Sequence, residues 1–161
     1  CDFYRKHEKT FASCGILYNH ESSFRQRNFL SKKIITHAIK NFKKSKKKLI
    51  LHNLNHRADW GYAPDYVNAM HKILNHPSPN DYIISTGKLH SVKDFVDQVY
   101  SSLDLDYKKF VEIKENKIIS NFRLGNSNLL RKDCNWKPSI TFNEMIKKLV
   151  TEELDKIKLM D

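Results

Sequence analysis

The run Gly15-Ile16-Leu17-Tyr18 ends abruptly in Asn19-His20-Glu21-Ser22, and Arg25, Arg27, Lys32 and Lys33 follow. A short apolar segment thus empties into a carboxamide, an imidazole, a carboxylate and then four cations. An Asn offers both a carbonyl and an amide, and a His donates or accepts near neutral pH. Arg forks bind phosphate through two parallel bonds, and Lys binds it as a point charge. Such a set suits the wall of a site for a phosphorylated ligand. On composition alone a solvated turn, in which Asn19 caps its own backbone and the cations face water, is the better reading. Lys33 lies beside the apolar stripe of the next segment and not opposite it, which favours a cleft.

Other candidates are weaker. Arg57 and Asp59 precede Trp60-Gly61-Tyr62, a pattern that also fits a structural Arg–Asp pair beside a buried aromatic. His52 and His56 have the i, i+4 spacing of metal ligands on a helix, but they fall at a strand end and loop with no accompanying carboxylate, so no metal is expected. The chain has only four glycines, and none is spaced as G-x-G-x-x-G. There is no Gly-x-Ser-x-Gly elbow, and no Ser/His/Asp or Cys/His set assembles from spacing. The chain offers walls of a site and no catalytic residue.

The elements that must position these residues follow from periodicity. Residues 2–9 read as the end of a helix and 11–18 as a buried strand. Apolar positions Leu30, Ile34, Ile35, Ala38, Ile39 and Phe42 have helical spacing. A short strand is expected at 48–53. Pro64 and Asp65 suit the first turn of a helix whose apolar face is Tyr66, Val67, Met70, Ile73 and Leu74. A strand at 81–86 is closed by Gly87. Ser91 with Asp94 and Thr141 with Glu144 read as capping boxes, opening helices over Phe95, Val96, Val99 and Leu103 and over Met145, Ile146, Leu149, Val150, Leu154 and Ile157. Another strand is expected at 109–114. Strands and helices alternate, which indicates an α/β fold with parallel strands. Such folds bind ligands at the carboxyl ends of their strands, where Asn19 stands.

Composition narrows the class. Over 161 residues, 40% hydrophobic content is enough for a folded core. No apolar run approaches a membrane span, so no membrane partner is expected. The three cysteines, Cys1, Cys14 and Cys134, are far apart and fit a reducing, cytoplasmic setting. The net charge of +11 fits either a solvated surface or a phosphate-bearing partner. A basic nucleic-acid-binding module is disfavoured, because aromatic and basic residues do not interleave into a stacking surface. A chain opening on Cys1 reads as a piece of a longer protein.

The segments "GILYNHES", "NFLSKKI", "NLNHRADWGYAPDYVNAM", "DYIISTGKLHSVKDFV" and "LGNSNLLRKDCNWKPSITFNEMIKKLV" occur in this order. Together they resemble the C-terminal half of the GDP-mannose 4,6-dehydratases, extended short-chain dehydrogenase/reductases acting on nucleotide sugars. The resemblance is weakest at 104–123. It implies the C-terminal part of a Rossmann-type domain with its smaller substrate-binding domain. Residues 1–28 would end the Rossmann domain, 29–58 would form a substrate-domain helix and strand, 59–86 the last Rossmann helix and strand, and 87–161 the substrate-binding domain. It implies NADP as cofactor, contacted by His20 and Arg25, and a GDP-sugar contacted by Asn19 and Lys33, with Arg57 as a further candidate. It also implies a homo-oligomeric, full-length lyase. In that family hydride leaves C4 of the sugar, water is lost across C5–C6, and hydride returns to C6. The glycine-rich loop, the catalytic Thr and Glu and the Tyr-x-x-x-Lys pair of the family would lie upstream of Cys1, so this chain alone would be inactive.

Three departures qualify the resemblance. The family's Pro-Arg-Arg after "HES" is Ser23-Phe24-Arg25 here. Its Arg before Asp-Trp-Gly is Ala58, with Arg57 one place earlier, on the opposite face of an extended segment. Its Arg-Pro-x-Glu is absent, since 114–121 read "KENKIISN". Phosphate- or ribose-directed groups are thereby lost, which leaves a related dehydratase, epimerase or reductase, such as one acting on a GDP-heptose, as the alternative.

Overall fold

A computed structural model describes residues 1–114 and 122–159. The elements that frame the site begin with a short helix α1 (Asp2–His7) and one extended segment that carries two strands, β1 (Cys14–Leu17) and β2 (Asn19–Glu21). Then come α2 (Leu30–Phe42), β3 (Leu49–Leu51), β4 (Arg57–Ala58), β5 (Trp60–Tyr62), α3 (Ala63–Leu74), β6 (Asp81–Ile84) and β7 (His90–Ser91). The chain continues through α4 (Val92–Ser101), a 3₁₀ turn (Tyr107–Lys109), β8 (Val111–Ile113), α5 (Asn128–Cys134) and α6 (Phe142–Lys158). Among the described residues three of the four strand pairings are parallel: β1 with β6, β2 with β5 and β3 with β8; β4 and β7 run antiparallel.

Local chemistry sets the helix starts. Ser91 and Asp94 form a reciprocal capping box on α4, and Thr141 and Glu144 form another on α6. Pro64 sits in the first turn of α3, where its missing N–H costs nothing. The strands are shorter than their sequence patterns, because each keeps only the stretch that has a partner.

Two apolar clusters hold the molecule. The larger joins α2, α4 and α6 with Leu51, Leu54, Ala58 and Trp60. The smaller joins Tyr66, Ala69 and Ile73 of α3 to Tyr82 and Ile84 of β6 and to Leu130 and Trp136. Leu130 and Trp136 therefore pack with α3 and β6, not with the helices on either side of them in sequence. The Trp136 indole N–H donates to the Asp65 carbonyl at 3.0 Å, which ties the two parts of this cluster.

Two expectations about burial are corrected. The strand at β1 is not buried: Gly15 and Ile16 are exposed, because among the described residues β6 is its one strand partner and its faces are only partly covered. On α3 the buried stripe is Tyr66, Ala69 and Ile73, while Val67, Met70 and Leu74 are exposed. Both triplets have helical spacing, so periodicity alone could not choose between adjacent faces.

Two histidines make stability depend on pH. His37 sits among Asn41 and Tyr100, and His90 stacks on Phe142 with centroids 3.8 Å apart. Burial is the main cause that lowers both from the ordinary 6.5, with the Asn41 hydrogen bond opposing it for His37 and the Asp94 charge for His90. The unfolded chain then binds more protons, so this contribution is present above 6.5 and is lost as pH falls through the folded values. Glu21, raised chiefly by burial, has the opposite sign in a window above 4.5. Unfolding free energy of the variant carrying both His37→Gln and His90→Phe is expected to fall less than the wild type's between pH 7 and pH 5.5. Equal slopes in chemical denaturation would refute this.

Candidate functional site

The site forms where one extended segment changes partners. Residues 14–17 pair with β6 in register Cys14↔Asp81 to Leu17↔Ile84, and the Tyr18 N–H still donates to the Ile84 carbonyl at 3.0 Å. One residue later, Asn19 pairs with Trp60, His20 with Gly61 and Glu21 with Tyr62. The strands part at this switch and leave hollows on both faces. Alternation along β2 then sends consecutive side chains opposite ways.

Asn19 lines a hollow of about 410 Å³ together with Tyr18, His56, Arg57, Asp59 and Arg123. Arg57 is exposed while Ala58 is buried in the larger cluster, so the two do diverge as strand geometry requires. The guanidinium of Arg57 lies 5.8 Å from the Phe122 ring centroid. Asp59 is the structural residue of this wall, but not as half of an Arg–Asp pair. It is 1% exposed, and its carboxylate accepts from the Thr86 N–H (2.9 Å), the Thr86 hydroxyl (2.6 Å) and the Gly87 N–H (2.8 Å). Those bonds fix the turn after β6, where Gly87 takes φ +77°.

His20 and Arg25 line a second hollow, of about 460 Å³, with Phe24, Phe29, Tyr66 and Met70. His20 Nδ1 is 2.8 Å from the Tyr18 carbonyl, which can only accept. Nδ1 therefore carries the proton, and Nε2 is the acceptor of the neutral ring. The ring stacks on Tyr66 at 4.9 Å, and the Tyr66 hydroxyl donates to the Asn19 carbonyl at 3.4 Å. Burial, with Asp59 and Asp65 adding to it, pushes the Tyr66 phenol well up, so it stays a donor.

Arg25 lies over the Phe29 ring, its Cζ 3.8 Å from the centroid. Its Nε is 3.2 Å from a Glu21 carboxylate oxygen, close enough for an ion pair but outside hydrogen-bond geometry. Glu21 also accepts from the Ser31 hydroxyl at 2.6 Å. The arrangement holds the guanidinium in place, and among the described residues its outer edge has no hydrogen-bond partner. A cationic edge, an imidazole acceptor and apolar walls suit a planar, anionic ligand such as a dinucleotide.

Lys33 is exposed on α2 and lines neither hollow. Its neighbour Lys32 is the buried one, paired with Glu153 of α6 and donating to the Ser23 carbonyl at 3.1 Å. Lys156 donates to that same carbonyl at 2.8 Å, and its ammonium lies 5.0 Å from the Phe24 ring. Ser23 and Phe24, which stand where the resemblance leads one to expect Pro and Arg, are thus the point at which the loop is tied to α2 and α6. Residues 115–121, most of the stretch at which the resemblance places an Arg-Pro-x-Glu motif, lie outside the described residues. Among the described residues no group of His, Cys, Asp and Glu could hold a metal, and no helix is long and apolar enough to cross a membrane.

The family model for GDP-mannose 4,6 dehydratase matches residues 1–149. This chain belongs to the GDP-mannose 4,6-dehydratase family. It is similar to GDP-mannose 4,6 dehydratase 2 of Arabidopsis thaliana, with 37% identity over 160 residues, covering 96% of this chain and 42% of the relative. The human GDP-mannose 4,6 dehydratase shows 30% identity, over 94% of this chain and 46% of its own length. The chain spans a little under half of these relatives.

Solved structures agree on the fold. The chain is similar to RMD from Pseudomonas aeruginosa complexed with NADPH, at TM-score 0.87 and 13% identity, covering 97% of this chain and 52% of that one. It is also similar to dTDP-glucose 4,6-dehydratase from Bacillus anthracis in complex with NAD, at TM-score 0.80 and 19% identity, covering 96% and 49%. The fold of this member of the family is therefore Rossmann-type α/β, of the extended short-chain dehydrogenase/reductase kind.

The structure brings Asn19 and Arg57 together, and His20 and Arg25 together, in separate hollows. Arg123 and Tyr66 are the site residues that sequence reasoning missed. Tyr66 could have been found from its place one turn into the helix after Trp60-Gly61, opposite His20. Arg123 had no such signal.

Proposed function

We propose that this chain supplies the sugar-nucleotide side, and part of the cofactor side, of an NADP-dependent GDP-mannose 4,6-dehydratase converting GDP-mannose to GDP-4-keto-6-deoxymannose and water. The observation that carries the reading is the strand switch at Tyr18, which sends Asn19 into one hollow and His20 into the other. Family membership supplies the reaction. Two ligands must meet at one strand end for a redox cycle between them, and this geometry provides two pockets with one backbone segment between them.

In this reading Asn19 and Arg57 hold the GDP-sugar, and His20 and Arg25 hold the cofactor. The nicotinamide, when bound, supplies the hydride acceptor and donor. The chain's own residues position and neutralise. Arg25 offers a fixed cation, the Tyr18 carbonyl sets the His20 tautomer, and Tyr66 buttresses the His20 ring. Lys33 is assigned to the GDP-sugar as well, although its placement outside both hollows adds no support. The groups that move protons belong to the upstream part of the full-length protein, which works in the cytoplasm as a homo-oligomer.

The full-length protein is expected to turn over GDP-mannose in preference to other nucleotide sugars, and the 161-residue chain alone is expected to turn over none. Product analysis of both with a panel that includes a GDP-heptose decides the matter. Preference for another sugar, or dehydration by the chain alone, would overturn the reading.

A further inference from the structure

The stretch "FKKSKKK" at 42–48 is the densest run of charge in the chain, and neither hollow accounts for it. Lys43, Lys44, Lys46, Lys47 and Lys48 are exposed at the end of α2, and none lines the hollow beside Asn19 or the one beside His20. The pairing of β3 with β8 enlarges the patch. The Leu49 N–H donates to the Phe110 carbonyl at 2.8 Å, which brings the exposed Lys108 and Lys109 to the end of the same loop. Among the described residues the adjoining turn and strand carry three carboxylates, Asp104, Asp106 and Glu112, and Asp106 accepts from the Lys108 N–H at 3.0 Å. Seven exposed lysines against three carboxylates leave the patch strongly cationic.

The loop is also built. α2 ends in a Schellman turn, in which the Lys44 N–H donates to the Asn41 carbonyl at 3.0 Å and the Ser45 N–H to the Lys40 carbonyl at 2.9 Å. The left-handed residue of such a turn is usually Gly, yet here it is Lys44, at φ +73°. Glycine would hold that conformation without the Cβ clash, so lysine keeps its charge there at a cost to stability. Asn41 shapes the rest. It is 4% exposed, and its amide donates to the Ser45 carbonyl at 2.7 Å and to the Lys47 carbonyl at 3.0 Å. Its own carbonyl accepts from the Tyr100 hydroxyl at 3.1 Å. A buried side chain is thus committed to fixing a loop, 43–48, in which every residue but Ser45 is lysine.

We propose that this loop docks the full-length protein on an anionic lipid surface. Lysine suits that partner, because it meets phosphate and carboxylate headgroups as a point charge and needs no fixed two-pronged geometry. The patch holds lysines and no arginine. Clusters of about four to eight basic residues are the usual footprint of attraction to anionic lipid. Phe42 and Ile50, both exposed, flank the lysines and supply apolar side chains for shallow insertion. Nucleic acid fits less well, because the basic residues do not interleave with aromatics that could stack bases. No spanning helix is needed, since charge and shallow apolar contact attach a protein to a surface reversibly. The proposal is independent of how the two hollows are assigned.

Co-sedimentation of the full-length protein with vesicles tests this, using phosphatidylcholine alone and phosphatidylcholine mixed with phosphatidylserine. Binding is expected on the anionic vesicles only, and it should fade as salt is raised. Each loop lysine removed should weaken partitioning by about fivefold, so the variant carrying Lys46→Ala, Lys47→Ala and Lys48→Ala should lose about a hundredfold. Lys137→Ala, which removes an exposed lysine outside the patch, should bind as the wild type does. Lys44→Gly separates charge from folding. It removes a cation and relieves the left-handed backbone, so partitioning should fall about fivefold while the melting temperature does not fall. Equal binding to neutral vesicles, no binding to either kind, or no loss in the triple variant overturns the proposal. So does a salt-sensitive gel shift of RNA that the triple variant abolishes, without sedimentation on anionic vesicles, since nucleic acid would then be the partner.

Discussion

Replacing Asp59 with alanine is expected to cost the fold about 3–5 kcal/mol, the range for leaving several buried partners of a charged group unmatched. The carboxylate is 1% exposed and accepts three hydrogen bonds of 2.6–2.9 Å from the turn after β6. Alanine leaves two backbone N–H groups and one hydroxyl without that acceptor, in a place that water does not reach freely. The loss also spreads, because Thr86 and Gly87 set the turn on which Arg131 rests through its bond to the Thr86 carbonyl at 2.9 Å. Asn at this position separates charge from shape. Its single carbonyl can serve Thr86, but its amide then faces the Gly87 N–H, donor against donor. Asp59→Asn should therefore cost about 2 kcal/mol, less than alanine and still far above a surface substitution. Chemical denaturation of the full-length protein measures both. A loss under about 1 kcal/mol for alanine would mean that the turn finds other acceptors.

The contrast between Asp59 and the capping boxes shows which parts of this fold are legible in sequence. Ser91–Asp94 and Thr141–Glu144 act across three residues, so the pattern contains the whole interaction. Asp59 acts on residues 27 and 28 positions away, and nothing in "RADWGY" says which backbone will come to meet it. The site divides the same way. Asn19 and His20 were readable as strand-end neighbours whose side chains point opposite ways, because strand alternation is local, while their assignment to ligands came from the family resemblance. Lys32 and Lys33 were not, since neighbours on a helix differ by about 100° and the choice depends on where Glu153 of α6 arrives. Arg123 was the least accessible. It follows the stretch in which the family resemblance is weakest, and its position depends on Gly125 docking against Ser85 and Tyr18. The family resemblance supplied what periodicity could not, namely the expectation that the polar corner after Tyr18 belongs to a site.

Gly61→Ala is expected to be the other severe substitution, and it should reach the second hollow through the core. A Cβ at this position would lie 2.3 Å from Tyr66 Cε2, 2.8 Å from its hydroxyl and 3.0 Å from Cζ. An aromatic ring cannot bend away from such a contact, and Tyr66 is 1% exposed. On one side it meets His20, stacked at 4.9 Å, and on another the edge of Trp136 at 6.4 Å. Relief must therefore come from moving the ring into His20, or from shifting β5 out of register with β2. The expected cost is about 3 kcal/mol, the upper part of the usual range for overpacking. The first route also disturbs the imidazole that lines the second hollow, which is proposed to hold the cofactor, so NADPH affinity of the full-length protein should fall along with stability. A double-mutant cycle identifies the cause. Tyr66→Leu alone loses packing and the hydroxyl's bond to the Asn19 carbonyl, but in the Gly61→Ala background it also removes the clash. The two substitutions together should then cost about 1–3 kcal/mol less than their sum. Strict additivity in denaturant titrations would show that β5 moves instead, and that the glycine serves the strand pairing rather than the Tyr66–His20 stack.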